Sequence, residues 1–334
     1  MRINLSLLII SISALVTSDL VAGVVNVYSE RIEELVKPAF EAFEKKSGIK
    51  VKLMTGKAAG MIERIKMEGE NTTADLLITV DAGNLWLAKS KYKILQSVNS
   101  NSLNSQIPAS LRDKDGYWYG LTVRARTIVY NKDKVKPSDL STYEDLGNPK
   151  WKGKICLRTS KKVYNKSLVA TMIKSIGKSE TEKVLKSWMN NKPIIHAKDS
   201  HLLKGIAEGQ CDIGLVNTYY LGRELKKDAK FPVGLFWANQ KDRGVHVNIS
   251  GGGVTKYAKN KDNAVKLLEY LSSSEAQNLF ADNNLEYPVN RNVSPAPELD
   301  KWWGATFKMD PVNVAAAGEL QSEAVKLMAK VGYK

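Results

Sequence analysis

Short apolar strand patterns alternate with amphipathic helical ones along almost the whole chain, and that alternation leaves few folds open beyond a layered α/β sheet. Residues 24–28 read as a strand. Residues 32–46 read as a helix with Leu35, Val36, Ala39, Phe40 and Phe43 on one face, closed by Gly48. Val51 and Leu53 begin a second strand, 58–68 is helical, and 74–80 is a near-continuous apolar strand of the buried parallel type. A further helix starts over 81–91. Three β–α units therefore precede the first long strand.

That strand spans 118–131, and a second long one, containing Gly251-Gly252-Gly253, spans 245–255. Two long strands far apart in sequence, with β–α units before, between and after them, are what two lobes joined by a two-strand hinge require. The chain is expected to leave the first lobe near residue 122 and to return near 248. Lobe 1 is assigned to 24–122 and 248–295, lobe 2 to 123–247 and 296–334. The last helix, 314–331, is expected to pack back on lobe 2. Outside this setting the glycine triplet would read as a plain turn.

The N-terminus, 1–23, reads as an export signal. Arg2 supplies a positive start, 5–16 an apolar run broken only by serines, and Leu20-Val21-Ala22 a small-residue cleavage site. The run is shorter than the roughly 20 apolar residues of a membrane span. Arg2 has no twin, and no cysteine lies near the cleavage point, which points to general secretion rather than a lipoprotein. The remaining chain, about 310 residues, suits two domains of about 100–200 residues each.

Fifty Lys and Arg against 35 Asp and Glu give a net charge of +15, a balance that attracts anions and acidic membrane faces. The lysines are spread along the chain without a zinc-knuckle or helix-turn-helix pattern, so no nucleic-acid partner is expected. Cys156 and Cys211 are the only cysteines. In an oxidising compartment an even pair favours a disulfide, here between two apolar runs that suit neighbouring strands. Phosphate-loop glycine motifs, an H-e-x-x-H helix and a nucleophile elbow are all absent, and His196, His201 and His246 have no catalytic context, so no enzyme activity is expected.

Several runs carry a resemblance. They include Val25-Asn26-Val27-Tyr28-Ser29-Glu30-Arg31, Leu77-Ile78-Thr79-Val80-Asp81-Ala82-Gly83-Asn84, Asn148-Pro149-Lys150-Trp151 and Val163-Tyr164-Asn165-Lys166-Ser167. Asn217-Thr218-Tyr219-Tyr220-Leu221-Gly222-Arg223, His246-Val247-Asn248 and Glu286-Tyr287-Pro288-Val289-Asn290 follow in order. Together the chain resembles the ferric-iron substrate-binding proteins of bacterial ABC importers over nearly its whole exported length. The resemblance implies a periplasmic, monomeric, two-lobed binding protein of type II-like fold, each lobe a mixed sheet flanked by helices. Such a protein closes on Fe(III) in the interlobe cleft and delivers it to an ABC permease at the inner membrane.

In that family the tyrosine before the Asn-x-Ser helix and the tandem tyrosines are iron ligands, which carries over to Tyr164, Tyr219 and Tyr220. The chemistry agrees: a phenolate is a hard oxygen donor with a free pKa of about 10, and a strongly polarising cation such as Fe(III) is needed to deprotonate it near neutral pH. Tyr164 is expected directly before a helix and the pair at the end of a strand, where α/β sheets present ligands.

One departure matters. Many relatives follow the first strand with Tyr-Ser-x-Arg-His-Tyr, which brings first-lobe iron ligands, whereas this chain has Arg31-Ile32-Glu33. Two completions of the coordination sphere are open. A carbonate anion held by Arg31 and Arg124 is favoured; Glu33 or Tyr28 reaching over from lobe 1 is the other. Without an anion, Arg31 would read as a surface helix residue and Arg124 as a sheet-edge ion pair. The competing function is a binding protein of the same fold for another small ligand, a phosphorylated compound or a polyamine. A secreted hydrolase and a structural surface protein are disfavoured by the missing nucleophile motifs and the absence of repeats.

Overall fold

The computed structural model describes residues 23–334, so the export signal, apart from Gly23, lies outside the described residues. The three opening units are β1 (Val24–Ser29) with α1 (Glu33–Ser47), β2 (Lys50–Thr55) with α2 (Ala58–Glu68), and β3 (Leu76–Thr79) with α3 (Ala82–Trp86). α1 buries Val36, Ala39, Phe40 and Phe43, and stops at Gly48, whose φ of +71° a side chain would strain. The helix expected over 81–91 is α3 continued by one wide turn, Leu87–Lys91. α4 (Asn101–Gln106) then leads to β4 (Tyr119–Asn131).

Beyond β4 come β5 (Ile155–Arg158), α5 (Val163–Ile176), α6 (Lys178–Asn190), β6 (Ile194–His196), α7 (Asp199–Ala207), β7 (Ile213–Asn217), α8 (Thr218–Lys227) and β8 (Val233–Phe236). β9 (Val247–Val254) returns the chain to α9 (Lys261–Ser272), α10 (Ser274–Ala281) and β10 (Tyr287–Pro288). It ends in α11 (Pro297–Trp303), α12 (Ala316–Glu319) and α13 (Gln321–Lys330).

The strands follow the order β2-β1-β3-β9-β4-β7-β5-β6, with β10 and β8 also on β4. β1 runs parallel to β2 and β3, and β5 parallel to β6 and β7; β9 and β4 are the antiparallel insertions that make both halves mixed. β4 belongs to both halves. Its residues up to Ala125 pair with β9, and from Arg126 onward with β7 and then β8. The glycine triplet is strand, not turn: a Cβ on Gly251 or Gly253 would stand 2.6 Å from the carbonyl oxygen of Tyr119 or Tyr117. Only bare backbone fits beside β4 there.

The single helix expected over 314–331 is broken at Leu320 into α12 and α13. α13 packs on α5 of the second half, but α12 lies against both α3 and α5. Gly318 makes this possible, since a Cβ there would meet Trp86 at 2.4 Å. The C-terminus is therefore a seam along both halves rather than a helix on one.

Cys156 in β5 and Cys211 just before β7 form a disulfide, with Cα atoms 5.8 Å apart, across two parallel neighbours of one sheet. Closing a loop of sequence separation 55 stabilises chiefly by constraining the unfolded chain. Cys156→Ala/Cys211→Ala should lose about 2–4 kcal/mol of unfolding free energy in a urea titration against the oxidised parent.

Candidate metal centre

All three tyrosines lie in the first turn of a helix. Tyr164 is the second residue of α5, and Tyr219 and Tyr220 are the second and third of α8. The pair therefore opens a helix instead of closing β7, a one-turn difference from the expectation that has an electrostatic consequence. The unpaired N–H groups of a helix start carry partial positive charge, which favours a phenolate there. The fold brings the three rings together: the Tyr219 hydroxyl donates to that of Tyr164 at 3.3 Å, and the Tyr219 and Tyr220 ring centroids are 4.5 Å apart. Asn217 Nδ2 donates to the Tyr219 hydroxyl at 3.3 Å.

Cations surround the phenols. Lys162 Nζ and the guanidinium carbons of Arg158 and Arg124 stand 4.8, 5.4 and 5.8 Å from the Tyr164 ring centre. Arg223 lies 5.1 Å from that of Tyr219. Burial raises the Tyr164 hydroxyl to a pKa of about 12 against the pull of Arg124, and Tyr220 adds to the rise. Burial lifts Tyr219 well above the ordinary phenol range, with Tyr164 and Tyr220 adding to it. Without a cation the Tyr164 and Tyr219 phenols are thus neutral. Among the described residues no three His, Cys, Asp or Glu side chains group as a metal site. What the cluster offers is three hard oxygens and a positive rim, a poor cage for a polyamine and a good one for a highly charged cation accompanied by an anion.

The family model for bacterial extracellular solute-binding proteins matches residues 71–311. This chain belongs to that family. Iron uptake protein A1 of Synechocystis sp. is 41% identical over 319 residues, 93% of this chain and 87% of that protein. The solved structure of the Trichodesmium protein in complex with iron and citrate ligands superposes with a TM-score of 0.90 at 46% identity, covering 93% of this chain and all of that one. Ferric iron-binding protein A of Mannheimia haemolytica, in an open conformation, gives 0.86 at 37% identity over 93% and 99% of the two chains. The two-lobed α/β architecture of the solute-binding proteins is therefore that of this chain.

In this solute-binding protein the remaining predicted residues divide. Arg124 reaches the tyrosines: its Nη1 is 3.5 Å from Ser250 Oγ and 3.8 Å from Glu286 Oε1, and its Nη2 is buried without a protein partner. Arg31 does not. It is not a surface residue: Nη1 is committed to Glu286 at 2.6 Å and to Ser250 at 2.9 Å, the guanidinium stacks 4.5 Å from the Phe280 ring centre, and Nε is buried without a protein partner. Glu33 is exposed on α1 and paired with Lys37 at 3.6 Å, and the Tyr28 hydroxyl bonds Thr73 Oγ1 at 3.2 Å. Neither is engaged with the tyrosines.

Three groups were not singled out from sequence. Arg126 donates to Asn165, Asp199, Asn217 and the Leu215 carbonyl, and Arg158 shares Asp199 while standing beside the Tyr220 phenol. Asp81 is wholly buried and accepts from Gly83 N, Ser167 Oγ and Asn248 Nδ2. It lay inside one of the runs that carry the resemblance, the one signal that could have found it.

Burial raises the Asp81 carboxyl to about 6, against the attraction of Arg124 and the bonds from Gly83 and Ser167. Because the folded value is above the unfolded one, ionising Asp81 costs stability, fully above about pH 6 and not at all below about pH 4. Asp81→Asn removes that cost. Chemical denaturation of the iron-free protein should show the stability of Asp81→Asn relative to the parent rising by about 2–3 kcal/mol between pH 4 and pH 8.

Proposed function

We propose that this chain is the substrate-binding protein of an iron importer: it captures Fe(III) with Tyr164, Tyr219 and Tyr220 and hands it to an ABC permease at the inner membrane. The observation that carries this is the meeting of three phenols from two separate helices, Tyr164 and Tyr219 buried and Tyr220 half-buried, with no cluster of His, Cys, Asp or Glu to compete for a metal among the described residues. It is supported by the iron named in the similar proteins of Synechocystis and Trichodesmium. The protein works as a monomer in the periplasm and performs no catalysis.

Fe(III) displaces the phenol protons, and three phenolates neutralise its charge. The protons of Tyr164 and Tyr219 must be taken from buried hydroxyls whose pKa is raised, so capture is steeply acid-sensitive. The positive rim then favours a small anion in the remaining coordination positions. Arg124, with its free Nη2, is the donor for it, and Arg31 supports Arg124 only through the shared Glu286 and Ser250. Carbonate fits this role in size and charge; the citrate of the Trichodesmium complex is a second anion to test.

The lobes, 24–122 with 248–295 and 123–247 with 296–334, bend about β4 and β9, and closure brings first-lobe groups over the metal. The stretch of β4 where the pairing partner changes, Ala125 to Arg126, is the natural hinge.

Titration with ferric citrate should raise a tyrosinate-to-Fe(III) visible band that saturates at one equivalent, stronger with added bicarbonate. A colourless protein in both buffers would return the chain to a binding protein for another ligand. Tyr164→Phe and Tyr220→Phe should each weaken iron binding more than about 100-fold, beyond the loss expected for an outer hydrogen bond. Lowering the pH from 8 to 5 should release the ion, with the steepness of the curve reporting up to three protons.

A further inference from the structure

Tyr164 and the first half of the molecule are joined through packing by the α12 seam, which lies against both α5 and α3. β4 carries the chain across the boundary, but α5, which bears Tyr164, starts well beyond it. One buried carboxylate also spans the boundary. Asp81 ends the β3 unit and caps α3, accepting from Gly83 N at 2.8 Å on Oδ1. Its other oxygen accepts from Asn248 Nδ2 of β9 at 2.8 Å and from Ser167 Oγ of α5 at 3.0 Å. Asn248 is itself locked, since its Oδ1 takes the N–H groups of Ala82 and Ile249.

We propose that Asp81 is a cross-half tether: its bond to Ser167 sets where α5, and with it Tyr164, stands against the first half. The proposal rests on Tyr164 being an iron ligand. Ser167 lies three residues after Tyr164, on the same helix face. Its hydroxyl has one proton and two places to put it, Asp81 or the Val163 carbonyl one turn back at 3.1 Å. The charged acceptor wins when Asp81 is within reach, because charge-assisted bonds are about twice as strong. When the halves part, the hydroxyl turns to Val163 and leaves no unsatisfied donor behind. The tether is thus a bond that can be made and released without orphaning a buried group in α5.

Its energetics fit a positioning role. A wholly buried carboxylate is costly, and each of its bonds goes to a different element, α3, β9 and α5, rather than to one local partner. On the other flank of the site Arg223, which lies over the Tyr219 and Tyr220 rings, donates to Asn284 of the first half. The tyrosines are thereby held from both sides.

The test uses the mature full-length protein and the rate at which a competing chelator bleaches the iron–tyrosinate band. Ser167→Ala should release iron about tenfold faster or more, as loss of a bond to a charged group requires, while Ser167→Thr, which keeps the hydroxyl, should release it as the parent does. Asp81→Ala should resemble Ser167→Ala, and the double variant should be no faster than the faster single one. Hydrogen exchange of the iron-free protein reads the tether without metal: Ser167→Ala should speed exchange at Ala82 and in α5, and Ser167→Thr should not. Should Asp81→Ala fail to fold, the Ser167 pair decides alone. Unchanged release and unchanged exchange in Ser167→Ala, or additive rates in the double variant, overturn the tether; a parent protein that shows no band overturns the iron reading, and the exchange data still decide the tether.

Discussion

Both elements that carry tyrosines of the site are fastened to one buried guanidinium, that of Arg126. It sits on β4 where the strand changes partners, and donates to Asn165 beside Tyr164, to Asn217 ahead of the tyrosine pair, and to the β7 backbone at Leu215. Asp199 supplies its counter-charge and at the same time holds Arg158 next to Tyr220. A charge buried this deeply is tolerable only when its donors are used, and here all the partners belong to the second half. The consequence is that the helix starts carrying Tyr164, Tyr219 and Tyr220 are tied to one another through a single buried guanidinium of the second half.

The charge balance of the centre follows from the same arrangement. Iron-free, Tyr164 and Tyr219 are neutral phenols under a rim of guanidinium and ammonium groups, because burial opposes their ionisation. On the proposed reading, three phenolates and one Fe(III) cancel on loading, which leaves the rim with surplus positive charge and an unpartnered Arg124 nitrogen. An anion removes both costs at once. The carboxylates near the cleft stay out of this balance: Glu286 is lowered by Arg31 and Arg124 in spite of burial, and Asp81 is occupied by its three donors. The site is built to exchange charge as a set.

Much of this could be read in the chain. The β–α alternation placed β1, α1, α2 and β4 within a residue or two of where they stand, since a buried face imposes its period on the residues that fill it. The Cys156–Cys211 bridge followed from compartment and strand pattern. The three tyrosines stood out through the family resemblance, with which the hard-oxygen chemistry of a phenolate agrees. What misled was local pattern without its partners. Arg31 beside a helix start looked free to hold an anion, yet Glu286, 255 residues away in sequence, takes it. Glu33 and Tyr28 likewise find partners close to them in the first half, Lys37 and Thr73.

The sequence by itself therefore determined the layered α/β class, the alternation of its elements, the disulfide and the donor chemistry, because each depends on periodicity or on the intrinsic properties of a side chain. Only the tertiary structure decided which arginine faces the phenols, that the tyrosine pair opens a helix, that the last helix breaks at Leu320 into a seam, and that Asp81 reaches Ser167. Those outcomes depend on which charges and hydroxyls, distant in the chain, find one another once water is excluded, and buried polar groups choose partners by geometry rather than by sequence neighbourhood.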